Sequence, residues 1–431
     1  MKSLSSTVLL SILLAAPAVS QQTASAPATP PAGSNRCQTL RQQALAAATP
    51  AEVVRLLGEA QTVCREALKG FTPEQQPVPW ALATLDLGNV TADRAIVGGG
   101  AGALQGLDEA AGLYRQALGA LSPERAPDVW AAAQLNLGSA LQSRGIRTPG
   151  EKAIPYLQEA ADRLRQALRM LSREKDPQKW AETQNNLALA LAELGTRQGK
   201  TAGIAALDEA FRAFGEVQTV YTRELQPRRW SEARLAQARV LLAQENTEAA
   251  YPVLAEILDK TPENRRALLT FASLLAGPLG RPTDAAAQTL KWIERHPEDL
   301  EMQLLNMEYL FAAGRLAEAR YRSVSLSEKA GALPPAAQIH ILGYEIATGL
   351  ATGAKGTPDR LGALIALLSS QPQDFRLLGN FAGSLRFLQA RPDIRNSDWQ
   401  VRLLHALQGR DGRDAMLAEL RKLESDMTTG S

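Results

Sequence analysis

The residues best equipped for chemistry are few and scattered. His296, His340 and His405 are the only histidines. They lie far apart, and none has a second His or Cys at the interval that metal ligands use. Gly199-Lys200-Thr201 has the ending of a phosphate-binding loop. That motif needs a Gly where Leu194 stands, and Gly195 comes one place late. Gly98-Gly-Gly-Ala-Gly102 has no preceding strand, so both glycine stretches read as connectors between helices. Neither a Gly-x-Ser-x-Gly elbow nor a supported Cys–His arrangement is visible. Asp108-Glu109, Glu159 and Asp208-Glu209 fall near helix starts, where the helix dipole and solvation account for acids. The reading is therefore non-catalytic, with no metal and no cofactor. The enzymatic alternative would place a site around Trp292, His296 and Trp399.

The amino-terminal stretch bears on compartment. Lys2, the apolar run Val8 to Ala16 and the small residues Ala18 and Ser20 have the layout of a secretory signal peptide over residues 1–20. A spanning helix needs about 20 apolar residues, so the run is too short for an anchor. Residues 21–35 are rich in Ala, Pro, Ser and Thr and read as a flexible linker. Ser34-Asn35-Arg36 before Cys37 lacks the small and apolar residues of a lipoprotein cysteine. Arg outnumbers Lys 36 to 11, which points to a GC-rich bacterial genome and so to the periplasm. In an exported chain two cysteines imply a disulfide. Helices over 36–48 and 51–70, turning near Thr49-Pro50, bring Cys37 and Cys64 level. Buried free thiols are the alternative, since a redox-active pair would show closer spacing. Closing the loop of 26 residues would stabilise the fold by roughly 3 kcal/mol.

What positions these residues is a repeat. The 431 residues carry 47 basic and 45 acidic side chains, a balance unlike the basic excess of a nucleic-acid binder. Ala and Leu dominate the 45% hydrophobic share, which favours helix. Trp80, Trp130, Trp180 and Trp230 are spaced by 50, and Pro77, Pro127, Pro177 and Pro227 keep the same step. So do Leu57, Leu107, Leu157 and Leu207, and Ala60, Ala110, Ala160 and Ala210. Each unit reads as two helices, such as 128–145 and 151–172 around a Thr148-Pro149-Gly150 loop. The second has amphipathic spacing. One pair cannot bury its apolar stripe alone, whereas stacked pairs can. From Asn246 the period shortens: Thr261-Pro262-Glu263 and His296-Pro297-Glu298 are 35 apart. Further pairs are expected at 335–351 with 357–370 and at 373–390 with 397–424. The expected division is 36–245 for long repeats and 246–427 for degenerate ones.

Leu137-Gly138 followed by Ala160, Leu164 and Ala167, and Leu87-Gly88 followed by Ala110, Tyr114 and Ala117, resemble the packing positions of the tetratricopeptide repeat. The unit is longer than that family's, and Gln237-Ala238 replaces Leu-Gly in the fourth. The resemblance implies an all-α fold, a right-handed α-solenoid of antiparallel helix pairs. It also implies a concave wall of first helices that binds segments of other envelope or secreted proteins. Residues expected to line that groove are Asn89, Gln142, Glu182, Asn185, Glu232 and Arg239. The competing reading of the Trp column is a stacked platform for a glycan or peptidoglycan-derived ligand, against its use as packing core. No stable membrane insertion is expected after signal cleavage.

Overall fold

A computed structural model describes residues 32–377, 381–408 and 412–429. The signal-peptide reading of residues 1–20 and residues 21–31 of the linker lie outside them. Ala32 to Asn35, expected in the linker, instead open the first helix. All regular structure among the described residues is helical. In chain order the helices are α1 (Ala32–Ala46), α2 (Pro50–Leu68), α3 (Pro77–Gly98), α4 (Gly100–Ala120), α5 (Pro127–Arg147), α6 (Ile154–Met170), α7 (Pro177–Ala202), α8 (Ile204–Gln218), α9 (Pro227–Ala243) and α10 (Thr247–Lys260). They continue as α11 (Arg265–Ala276), α12 (Pro282–Arg295), α13 (Leu300–Ala312), α14 (Leu316–Ser327), α15 (Pro335–Thr352), α16 (Thr357–Ser369), α17 (Ala382–Ala390), α18 (Ser397–Leu407) and α19 (Arg413–Thr429). The chain divides into two compact units between Val253 and Leu254, inside α10.

In the first unit the 50-residue period is a period of turns as much as of core residues. Helices α3, α5, α7 and α9 each begin on a Pro. There the missing N–H would have had no intrahelical partner. The turn before each is built by one hydroxyl residue. The carbonyls of Thr72, Ser122, Ser172 and Thr222 accept from the N–H four residues on. Their side-chain oxygens accept from the N–H three residues on. That is an ST-turn repeated at the register of the prolines.

Packing explains the Leu-Gly pair. A Cβ at Gly88 would lie 2.5 Å from the Tyr114 ring, and one at Gly138 would lie 2.6 Å from Leu164 Cγ. The first helix must therefore present bare backbone where the second helix presents its largest side chain. Leu107, Leu137, Leu157, Leu164, Ala160 and Ala210 are fully buried in one continuous cluster. Trp230 is buried, while Trp80 and Trp180 are partly buried against core clusters, so three of the four Trp of the column serve packing.

The glycine connectors are tighter than expected. Between α3 and α4 the linking residue is Gly99 alone, at φ 59°. Gly199 sits within α7 at φ 80°, breaking the helix just before Lys200, so the chain turns on the positive-φ pair Gly99-Gly100 and on Gly199 rather than on loops.

In the second unit α11 with α12, α13 with α14 and α15 with α16 stack as antiparallel pairs. The expected pairing of 373–390 with 397–424 does not form. Instead α18 pairs with α19, α18 packs on α15 and α19 on α16. Helix α17 is left out of the pairing and lies on α13 and α18. Nine residues with a Ser384, Leu385 and Leu388 face are too few to supply a full repeat helix.

Candidate partner-binding face

Two rows of side chains run across the stacked pairs of the first unit, and their lengths differ. On the second helices, Arg65 meets Glu109 (3.3 Å), Arg115 meets Glu159 (2.8 Å) and Arg165 meets Glu209 (2.8 Å). The acids first assigned to the helix dipole thus make a periodic ion-pair row, each pair spanning α2 to α4, α4 to α6 or α6 to α8. On the first helices the links are short. Asn136 Nδ2 donates to Asn89 Oδ1 at 2.9 Å, and Asn186 Nδ2 to the Ser139 hydroxyl at 3.0 Å. Gln38 Nε2 donates to Asp86 at 3.1 Å. Long Arg and Glu side chains bridge one row and short Asn and Ser side chains the other. The first-helix backbones therefore approach more closely, and that row is the inner one of a curved stack.

Burial tunes the charges on this row. Arg41 Nε lies 2.6 Å from Asp93, yet burial pushes the Asp93 carboxyl above its ordinary range, against the pull of Arg41. Glu182 is raised chiefly by burial, and Arg229 at 3.6 Å pulls it back only in part. Arg229 also donates to the Tyr221 hydroxyl (3.1 Å) and to Gln178 (3.4 Å), with its guanidinium 5.0 Å from the Tyr221 ring centre. Desolvation drives that phenol up to about 12.

The six expected groove residues separate. Asn89 is half-buried, and its Oδ1 already accepts from Tyr114 Oη and Asn136 (both 2.9 Å), so it is a strut between units. Gln142 is buried, with 6% exposure, and does not face outward: it sits one helical turn after Gly138, on the side turned to α6. Glu182, 14% exposed at the side chain, and Asn185, partly exposed, lie on α7 one turn apart. Glu232 is exposed and pairs with Arg228 at 3.2 Å. Arg239 is half-buried at the α9 position equivalent to Asn89. Reading by register missed Asn136, Asn186 and Ser139. Their signal was present, since Asn136 and Asn186 obey the 50-residue step.

The residues of the enzymatic alternative are held in a structural knot. The rings of Trp292 and His296 stack at 4.2 Å, and Trp292 Nε1 donates to Asp299 at 2.9 Å. Arg265 grips Asp299 through two nitrogens (2.7 and 2.9 Å), which holds that carboxyl down at about 2. Asp299 in turn caps α13 by accepting from Met302 N–H. Trp399 sits elsewhere, beside an open depression with Ile394, Asn396 and Asp398. Among the described residues no group of three or more His, Cys, Asp or Glu is placed to hold a metal ion, and no helix is long and apolar enough to cross a membrane.

Cys37 and Cys64 form a disulfide with Cα atoms 5.3 Å apart, and both are buried against Leu57, Ala60, Leu87 and Val90. The fold and the inner polar row define a tetratricopeptide-like helical-repeat protein. No family model and no curated protein matches the sequence. Among solved structures the chain is similar to the apo form of RapI, with 11% identity, TM-score 0.50, and coverage of 92% of this chain and 99% of that one. It is also matched to Acl4, the assembly chaperone of RpL4 (18% identity, TM-score 0.41, 70% and 100% covered). A third match is a kinesin light chain protein of TPR-like repeats from Podosopora anserina (17%, 0.38, 54% and 98%).

Proposed function

We propose that this protein is an exported, non-catalytic scaffold that binds segments of other envelope proteins along the first-helix row of residues 36–245. One observation carries the reading: α7 and α9 present Gln178, Glu182, Asn185, Arg228 and Glu232 at least partly exposed on the inner row of a rigid stack. Mixed charge and amide groups suit hydrogen bonding to a polypeptide. Packing claims three of the four Trp of the column, which argues against a glycan platform. Export is supported by the leader-like start of the sequence and by a buried disulfide, a bond that persists in oxidising compartments. A photo-crosslinker at Asn185 or Glu232, expressed in a bacterial envelope, should capture a protein that one at outer-row Arg115 does not. Equal capture from both rows would sink the proposal. The exported chain should begin at Gln21 by mass spectrometry.

A further inference from the structure

Helix α17 breaks the architecture of the second unit in an informative way. In a stack of pairs the inner side of the first helices is open, but here α13 and α15 are covered. From Asn306 to Phe311 and from Ile339 to Gly349 every residue but Leu342 is buried, including Glu308 (6% exposed), His340 (9%) and Glu345 (5%). Over α13 and over His340 and Tyr344 the cover is α17 with the residue before it, while the rest of α15 is buried by α14, α16 and α18, with Glu345 paired to Arg360 of α16 at 3.0 Å. Phe381 stacks on His340 at 5.0 Å and leans on Tyr344 at 5.5 Å. Ser384 and Tyr344 share a hydroxyl hydrogen bond of 2.8 Å, and Phe387 meets Phe311 edge-on at 6.0 Å. Phe387 also lies where a Cβ on Gly314 would meet it at 3.0 Å. Exposed Arg386 exerts its charge on Glu308 beneath. A helix of nine residues does not stand alone in water, so docking onto these side chains is what keeps it folded.

These contacts have the chemistry of a bound ligand: aromatic anchors at Phe381 and Phe387, one hydroxyl, and a basic side chain near a buried carboxyl. We propose that α17 is an internal occupant of the second unit's first-helix face, an autoinhibitory contact displaced by a partner helix bearing two Phe anchors and a basic residue. The inference rests on the reading that first-helix faces are the binding surfaces. Release of one short helix is a local opening, separable from unfolding of the stacked pairs.

The test uses the full chain and a fluorescent synthetic peptide of residues 381–396. Replacing 381–390 by ten Gly and Ser residues should leave a cooperative thermal melt and bind the peptide at least tenfold more tightly than the unaltered chain. In the opposite direction, a Cβ on Gly383 would lie 3.6 Å from that of Ala312, a separation suited to a disulfide. Oxidised A312C/G383C should then bind no peptide at concentrations where the unaltered chain binds weakly. Loss of the cooperative melt in the replaced chain would make α17 an integral core helix and overturn the proposal. So would a folded replaced chain that ignores the peptide, or a locked chain that binds it as the unaltered chain does. Crosslinking from Asn185 and Glu232 reads the other unit, so it survives either result.

Discussion

At Gly138 the tolerance for one methyl group is set by the neighbouring helix. A Cβ there would lie 2.6 Å from Leu164 Cγ and 3.2 Å from the Ala160 carbonyl, and the second contact is backbone that cannot swing away. Gly138→Ala should cost about 1–3 kcal/mol by urea unfolding. Gly112→Ala, whose Cβ meets nothing within 4 Å on α4, should instead stabilise by about 0.5–1 kcal/mol through helix propensity. A second prediction at this scale concerns Glu308. Burial raises its carboxyl from an ordinary 4.5 to about 8, countered weakly by Arg386, while the phenols of Tyr309 and Tyr344 lie close enough to be shifted by its charge. A raised folded value means the contribution is fully present below pH 4.5 and is lost as pH rises toward 8. The loss is at most about 1.4 kcal/mol per pH unit in that window. His340, depressed by burial to about 4, works oppositely and costs stability only as pH falls below 6.5. Glu308→Gln should remove the decline between pH 4.5 and 8 in a pH series of thermal melts, leaving the His340 loss below pH 6.5 uncompensated.

Among the elements, α1 depends most on a covalent tie. Of its side chains with described burial only Cys37 and Ala44 are fully buried, and its further anchors include partly buried Leu40 and the polar links Gln38 to Asp86 and Arg41 to Asp93. C37S/C64S should lose roughly 3 kcal/mol, with amide exchange rising first in residues 36–46. Uniform exchange across the first unit would mean that α1 is not a separately held cap. The Arg–Glu row on the second helices is a different case. Arg115 and Glu159 are 47% and 33% exposed at the side chain, so water screens them. Replacing Glu109, Glu159 and Glu209 by Gln one at a time should each cost under about 1 kcal/mol. That row sets the spacing of units more than their stability.

Across the molecule, the balance of 47 basic and 45 acidic side chains fits a surface that reads polypeptide through hydrogen bonds rather than through steering. Binding by the first-helix row should accordingly vary little between 50 and 200 mM salt, in contrast to the steep dependence of a phosphate-binding protein. A tenfold or larger loss over that range would point to a highly charged ligand.

The helix pairs of the first unit were legible because Trp, Pro, Leu and Ala each recur at 50 residues, and periodic burial can be satisfied only by stacking like on like. The same regularity exposed the hairpin that joins Cys37 to Cys64. Partner-facing residues were legible only in part, since a helical wheel gives the side of a helix but not what the next helix places there. It put Gln142 outside and left Asn89 free, whereas packing buried one and bonded the other to two units. The second unit was harder still. Its repeats have drifted, and no local pattern says that the residues before 397 fold across α13 instead of pairing with α19. By itself the sequence determined the helices, the period and the close glycine contacts, because these depend on neighbours at fixed chain distance. Only the tertiary structure decided which polar groups are spent between units and which face is covered by α17, because those depend on which distant side chain arrives first at the same surface.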